Sequence, residues 1–225
     1  NSLANTAPQI TLAQSLPDQL DSNGVFHIGH TENKTHILNV SAIDADGDDL
    51  NYSIYGWQDL HHFEINATSG DLSFKNSPDY ESPNDHDKDG VYGIVLRVSD
   101  NKAHHDQPVY IWLVNENESP YNLTTSHGLT IAENQPMGTI VGEFDASDPD
   151  KNSTLSYSLI EGNGSNDNPR FALQPNGILR SSQIFDYESN NTILSIRIRV
   201  SDEQNGSIEK SFSVSILDEN DTLPI

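Results

Sequence analysis

The chain is written twice, and that constrains its fold more than any other feature. Glu32-Asn33 is answered by Glu133-Asn134, and Ala42-Ile43-Asp44-Ala45-Asp46 by Ala146-Ser147-Asp148-Pro149-Asp150. Leu50-Asn51-Tyr52-Ser53-Ile54 is answered by Leu155-Ser156-Tyr157-Ser158-Leu159, and Phe63 by Phe171. Asp79-Tyr80-Glu81 returns as Asp186-Tyr187-Glu188, and Arg97-Val98-Ser99-Asp100 as Arg199-Val200-Ser201-Asp202. The offset drifts by a few residues, as it does when length differences are confined to loops. The 225 residues therefore divide into two domains of ordinary size. The expected division is 1–117, with an upstream linker remnant at 1–8, and 118–225, with a downstream linker at 218–225.

Inside each copy the hydrophobic period is two, not 3.6. Leu194, Ile196, Ile198 and Val200 alternate with Ser195, Arg197, Arg199 and Ser201; Tyr92, Ile94, Leu96 and Val98 do the same in the first copy. Turn residues separate the runs, as in Asn66-Ala67-Thr68-Ser69-Gly70 and Gln174-Pro175-Asn176-Gly177. In the second copy this predicts seven strands, at 129–132, 139–146, 155–159, 171–173, 178–181, 193–201 and 209–217. The expected fold is all-β: two tandem seven-stranded Greek-key immunoglobulin-like β-sandwiches joined end to end.

Composition adds three constraints. Only 34% of residues are hydrophobic, enough for the thin core of a two-sheet sandwich. There is no cysteine, so no disulfide staples either domain, and stiffness must come from elsewhere. Asp and Glu number 34 against 11 Lys and Arg, a net charge of -23. Such a surface repels nucleic acid and anionic lipid and attracts hard cations. Acidity alone would serve solubility, but the positions of the acids argue for more. No apolar run approaches the roughly 20 residues of a membrane span, so no direct membrane insertion is expected of this fragment. The chain opens at Asn1 without a signal peptide, and reads as a piece of a longer exported protein.

Strand parity sorts the acids. Successive strands run in opposite directions, so an odd number carries the chain in at one pole of a sandwich and out at the other. Asp-x-Asp follows the second strand and Ser-Asp the sixth, which places both at the N-terminal pole. Glu-Asn in the first turn and Asp-Tyr-Glu after the fifth strand fall at the C-terminal pole. Glu32, Asp79 and Glu81 of copy one are thus expected to face Asp148, Asp150 and Asp202 of copy two. Glu116, Asn117, Glu118 and Ser119 of the acidic, proline-closed stretch 115–120 lie between them. Like charges a few ångströms apart repel by about 1 kcal/mol per pair even in water, and no basic cluster is positioned to neutralise them. Ca²⁺ takes about 6–8 oxygen ligands, and carboxylates, carbonyls and side-chain amides are the types present here; Mg²⁺ demands a tighter octahedron.

These marks together resemble tandem cadherin repeats: Glu-Asn, Asp-x-Asp, Asp-x-Glu, Ser-Asp and a linker of the type Asp-x-Asn-Asp-x-x-Pro, in order and twice. Asp218-Glu219-Asn220-Asp221-Thr222-Leu223-Pro224 keeps the linker spacing. The first linker departs from it, with Asn115 at its start, Glu118 in place of Asp and one residue fewer before Pro120. Tyr80 and Tyr187 stand where animal cadherins favour Arg. The short linker, Asp46-Gly47-Asp48-Asp49 and Asp-Tyr-Glu-Ser-Pro resemble cadherin-like repeats of large bacterial surface proteins. The resemblance implies an extracellular adhesion fragment, at the cell surface or secreted. Two or three Ca²⁺ at the joint would stiffen a rod of repeats for cell-cell (homophilic included) or cell-matrix contact. It further implies an upstream half-site of Asn5, Asp44, Asp46 and Asp100. A downstream one would hold Glu133, Asp186, Glu188, Glu219, Asn220 and Asp221. The partners implied are neighbouring repeats of the same chain and a cell-surface protein or glycan. Strand exchange through an N-terminal Trp is not supported, since neither Trp lies near the start.

Other constellations carry less. Asn84-Asp85-His86-Asp87-Lys88-Asp89-Gly90 begins like a helix-loop-helix calcium loop but has Leu96 at the twelfth position, where a bidentate Glu belongs, and reads as a solvated loop. His61-His62 and His104-His105 fall at opposite poles and cannot share an ion. Trp57 and Tyr55 suggest a stacking platform for sugar, hence an alternative role as a polysaccharide-binding module or spacer of a carbohydrate-active protein. Trp112 reads as strand packing. No nucleophile elbow, catalytic cysteine or zinc-protease motif is present, so no catalytic residue and no enzyme activity are expected.

Overall fold

The computed structural model describes residues 4–12, 19–189 and 191–220. The chain forms two compact units, divided between Glu116 and Asn117. In the first unit the strands are β1 (Gln9–Ile10), β2 (Phe26–Thr31), β3 (His36–Asn39), β4 (Ala42–Ile43), β5 (Asn51–Tyr55), β6 (Phe63–Ile65), β7 (Asp71–Phe74), β8 (Val91–Ser99) and β9 (His104–Val114). One sheet runs β2-β9-β8-β5; a second runs β3-β7-β6, and β1 pairs with β4. The second unit contains β10 (Tyr121–Thr125), β11 (Thr130–Ala132), β12 (Ile140–Ser147), β13 (Ser156–Leu159), β14 (Phe171–Leu173), β15 (Ile178–Ser181), β16 (Ile193–Ser201) and β17 (Ser207–Leu217). Its sheets are β10-β12-β15-β14 and β11-β17-β16-β13. Among the described residues no helix is long and apolar enough to cross a membrane.

The alternation read from sequence is the one the sheets bury. Ile94 and Val98 of β8, with Val109 and Ile111 of β9, are fully buried, as are Leu194, Ile196, Ile198 and Val200 of β16. Each such side chain contributes about 1.5–3 kcal/mol relative to exposure. The two clusters are separate, one per unit. Gly70 and Gly177 close equivalent turns at φ +74° and +91°. A Cβ at Gly177 would sit 2.6 Å from the Phe144 carbonyl oxygen, and one at Gly70 would strike that of Val40. Only glycine fits either turn.

The first strand of the second unit differs from the expectation of a single segment at 129–132. It is broken in two. β10 pairs antiparallel with β12, and β11 pairs parallel with β17. The first unit repeats the device, with β1 antiparallel to β4 and β2 parallel to β9. Leu123 and Ile131 are both buried, so one short stretch serves both sheets by changing partners between them.

Candidate metal centres

At the C-terminal pole of each unit one buried glutamate ties three chain segments together. The backbone N–H of Glu32 donates to Val114 O at the end of β9, and that of Glu133 to Leu217 O at the end of β17. Asn33 and Asn134 follow at φ 62° and 59°, a left-handed turn that Asn tolerates better than most side chains. Their N–H groups donate to Pro78 O and Phe185 O. Each glutamate then accepts two further backbone N–H groups. Glu32 takes Tyr80 N at 2.7 Å and Glu116 N at 2.9 Å; Glu133 takes Tyr187 N at 2.8 Å and Glu219 N at 3.0 Å. Both are 1% exposed. The Glu of the Glu-Asn motif thus holds the linker and the Asp-Tyr-Glu segment in place, and Asn supplies the turn.

Around these anchors carboxylates gather. Glu32, Asp79 and Glu81 each offer an oxygen within 4.8 Å of the others, and so do Glu133, Glu188 and Asp218. Asp79 accepts Ser82 N and Asp186 accepts Glu188 N. Lys34 reaches Glu116 at 3.3 Å across exposed surface, a single weak pair. Ser119 is exposed. Asp221 lies outside the described residues, and Asn220 ends them.

The N-terminal poles are equally matched. Asp44 Oδ1 accepts Asp46 N at 2.8 Å, and Asp148 Oδ1 accepts Asp150 N at 2.9 Å. Thr6 N donates to Asp46 Oδ2 at 2.6 Å, where Glu118 N donates to Asp150 Oδ2 at 2.9 Å. Asn5 Nδ2 donates to Asp100 Oδ2 at 2.8 Å, where Asn117 Nδ2 donates to Asp202 Oδ2 at 3.0 Å. Asn5-Thr6 therefore does for the first unit what Asn117-Glu118 does for the second. Asp100 and Asp202 also receive the backbone N–H groups of the loops that follow them. These donors hold both acids below the usual carboxylate range: the Ala103 N–H and then the Asn5 amide for Asp100, the Asn117 amide foremost for Asp202.

Each set leaves oxygens unused. Oδ2 of Asp44, Oδ2 of Asp148 and Oδ1 of Asn117 are buried without a donor. Burial, then the neighbouring Asp150 and Asp202, push the Asp148 carboxyl up. A buried oxygen without a donor is costly. The donors are carboxylates and a side-chain amide, with no sulfur or imidazole, so the set suits a hard cation that accepts many oxygens. On that chemistry the residues fit Ca²⁺.

Sequence reasoning missed two members. Asp48 joins Asp44 and Asp46 within 4.8 Å, and Asp218 joins Glu133 and Glu188. The spacing Asp44-x-Asp46-x-Asp48 and the first position of the linker motif were the available signals. A third reading needs correction. The 84–90 loop is not wholly solvated: Asp85 is 2% exposed and its carboxylate accepts Asp89 N and Gly90 N, closing the turn. His61-His62 lies in a short 3₁₀ turn before β6 and His104-His105 opens β9, where His105 Nδ1 takes the Ile10 N–H.

Residues 128–217 match the sequence profile of the Cadherin domain. The chain belongs to the cadherin family. It is 32% identical over 196 residues to rat Protocadherin Fat 2, covering 84% of this chain and 4% of that protein. It is 31% identical over 194 residues to human Protocadherin-16, covering 80% and 6%, and 31% identical over 172 residues to Drosophila Protein dachsous, covering 68% and 5%. The chain thus spans only a small fraction of these relatives' length. Among solved structures, human Protocadherin-24 EC1-2 superposes with a TM-score of 0.64 at 17% identity, covering 96% of this chain and all of that one. Mouse Cadherin-23 EC22-24 gives 0.60 at 21%, covering 97% and 68%. At these identities the likeness establishes the immunoglobulin-like fold of cadherin repeats. The homologues are cell-surface cadherins, and the two repeats here are extracellular cadherin repeats. The relatives are animal proteins and do not bear on the likeness to bacterial repeats, nor do they support the polysaccharide-module alternative.

Proposed function

We propose that the two cadherin repeats bind Ca²⁺ through the acids at the poles where the linker leaves the first repeat and enters the second, and that the ions stiffen that passage. The observation that supports this is the orphaned buried Oδ2 of Asp148, in an oxygen-only set with Asp150, Asp202 and Asn117. Glu32, Asp79, Glu81 and Glu116 would serve from the first repeat, and Asn117, Glu118, Asp148, Asp150 and Asp202 from the second. The ion supplies positive charge among carboxylates that otherwise repel. The chain's own contribution is to fix the linker residue by residue. Glu116 N is held by Glu32, Glu118 N by Asp150, and the Asn117 side chain by Asp202, so the tie passes from one acid set to the next between residues 116 and 117. Asn5, Asp44, Asp46, Asp48 and Asp100 would form the upstream half-site. Glu133, Asp186, Glu188, Asp218, Glu219, Asn220 and Asp221 would form the downstream one. The repeats would then act as part of a stiff adhesive array contacting a protein on another cell.

Calorimetric Ca²⁺ titration with small-angle scattering, each repeated with chelator, tests the proposal. The expected result is saturable binding and a narrower distribution of lengths with Ca²⁺. Asp150→Ala should weaken both and leave each repeat folded. Identical scattering and identical melting in the two conditions would sink it.

A further inference from the structure

The first repeat carries an aromatic cleft on its outer sheet face. It measures about 660 Å³ and is walled by Trp57, Tyr110 and Trp112, with Asp87 and Asp89 among its polar lining. Trp57 stacks on Tyr110 with ring centroids 5.0 Å apart. Both tryptophans sit on glycines, for a Cβ at Gly93 would come within 2.7 Å of Trp57 and one at Gly29 within 3.0 Å of Trp112. Even so, Trp57, Tyr110 and Trp112 remain 41%, 37% and 40% exposed. Trp57 is held at φ 65°, a conformation that a bulky residue adopts only when its surroundings impose it.

The same face of the second repeat shows what a closed version looks like. Gly93 pairs with Tyr110 across β8 and β9, where Ser195 pairs with Ser213 across β16 and β17. An aspartate anchors the overlying loop in both: Asp59 accepts Gly93 N, and Asp167 accepts Ser195 N, each at 2.8 Å. In the second repeat that loop lies down on the sheet. Ser195 Oγ donates to Gly164 O, and Ser211 Oγ and Arg197 Nη1 donate to Asn163 O. In the first repeat the equivalent loop presents Trp57 instead, and the face stays open.

A few residues along this open face the chain itself shows which chemistry such a surface takes. Arg97 lies 4.0 Å from the centre of the Tyr55 ring and forms two 2.7 Å hydrogen bonds to Asp106. Aromatic face, guanidinium and carboxylate form one unit there, a combination of cation–π and bidentate contacts that arginine suits better than lysine. The cleft offers the same aromatic faces and carboxylates. Among the described residues no Lys or Arg lines it, although Lys88 belongs to the same loop.

We propose that this cleft is a docking site for an arginine side chain of a protein partner, with the guanidinium over Trp57 and Tyr110 and its charge met by Asp87 and Asp89. The charge complementarity favours a cation over a neutral sugar ring. The site does not depend on Ca²⁺ at the poles, so its test is separate from that of the calcium reading.

Both tryptophans of the chain line the cleft, so their fluorescence reports on it alone. The 225-residue protein would be titrated with N-acetyl-argininamide, with its neutral analogue N-acetyl-citrullinamide, and with cellobiose. The expected result is a saturable change with the arginine probe and binding at least about fivefold weaker with the neutral analogue, the size of one cation–π contact. The arginine response should weaken as salt is added. Asp87→Asn with Asp89→Asn should weaken it while circular dichroism is unchanged, and Trp57→Ala should abolish it. Equal binding of the two amino-acid probes, saturation by cellobiose alone, or no saturable change with any probe would overturn the proposal.

Discussion

Glu32 and Glu133 stand a hundred residues apart and make the same contacts, donor for donor. The outer faces of the sheets diverge above those anchored loops: tryptophans and tyrosines in the first repeat, serines under a covering loop in the second. The poles are alike because backbone amides from two separate segments converge there on one buried acceptor. The faces differ because an outward side chain on an antiparallel sheet meets solvent, and many residues satisfy that condition. Repetition therefore marks where the chain is tied, and divergence where a repeat is free to acquire a partner of its own.

Four measurements would break or sharpen that contrast. The largest effect is expected from Glu32→Ala and Glu133→Ala. Each removes a buried acceptor from two backbone N–H groups, at up to about 1–3 kcal/mol apiece, so each repeat should lose stability in denaturant melts. A large loss at one position and none at the other would show that the symmetry of contacts is not one of energy.

Calcium removal comes next. An ion held at 100 times its dissociation constant stabilises by about 2.7 kcal/mol, and chelation should lower the melting temperature accordingly. Asp148→Asn should act with opposite signs in the two conditions. Its carboxyl is raised by burial and by neighbouring acids, so the charged form burdens the fold once pH rises above the ordinary carboxylate range. The amide should thus stabilise the calcium-free protein at neutral pH and destabilise the calcium-loaded one. The same sign in both conditions would separate Asp148 from the ion.

Gly70→Ala and Gly177→Ala should each cost about 1–3 kcal/mol for a non-glycine residue forced to positive φ, with more for the clash against Val40 O or Phe144 O. Unequal costs would show that one turn relaxes where the other does not. The smallest effect is the acid limb of the pH profile. Arg97 holds Asp106 below the usual carboxylate range, and Arg197, then Arg199, hold Glu209 there. A depressed folded pKa contributes stability above the unfolded value and loses it as pH falls through the folded one. Asp106→Asn and Glu209→Gln should therefore flatten the acid side of the melting profile in parallel. A change on the alkaline side would contradict the assignment.

Much of this was legible before any coordinates. The period of two marked Leu194 to Val200 as a buried strand, and the order of acids sorted Asp46 and Asp100 to one pole and Glu32 and Asp79 to the other. The broken first strand was not legible, because Leu123 and Ile131 are both apolar residues in short runs, and nothing local says which sheet each will join. Asp48 and Asp218 stood in quoted motifs but outside the expected acid sets, because an acid counts as part of a cluster only when a turn brings its oxygen near the rest. Trp112 read as packing. It does lie against the sheet, over Gly29, yet two-fifths of it stays exposed.

The sequence alone determined the two-domain division, the all-β class and the chemistry of the acidic sets. Alternation, turn residues and repeated acid spacing are local properties, and strand parity carries them to a pole without further information. Only the tertiary structure decided which backbone amides each acid holds, which oxygens are buried without a donor, and which sheet face stays open. Those depend on distances between residues far apart in the chain, and a hydrogen bond or a stacked ring is made or lost within an ångström.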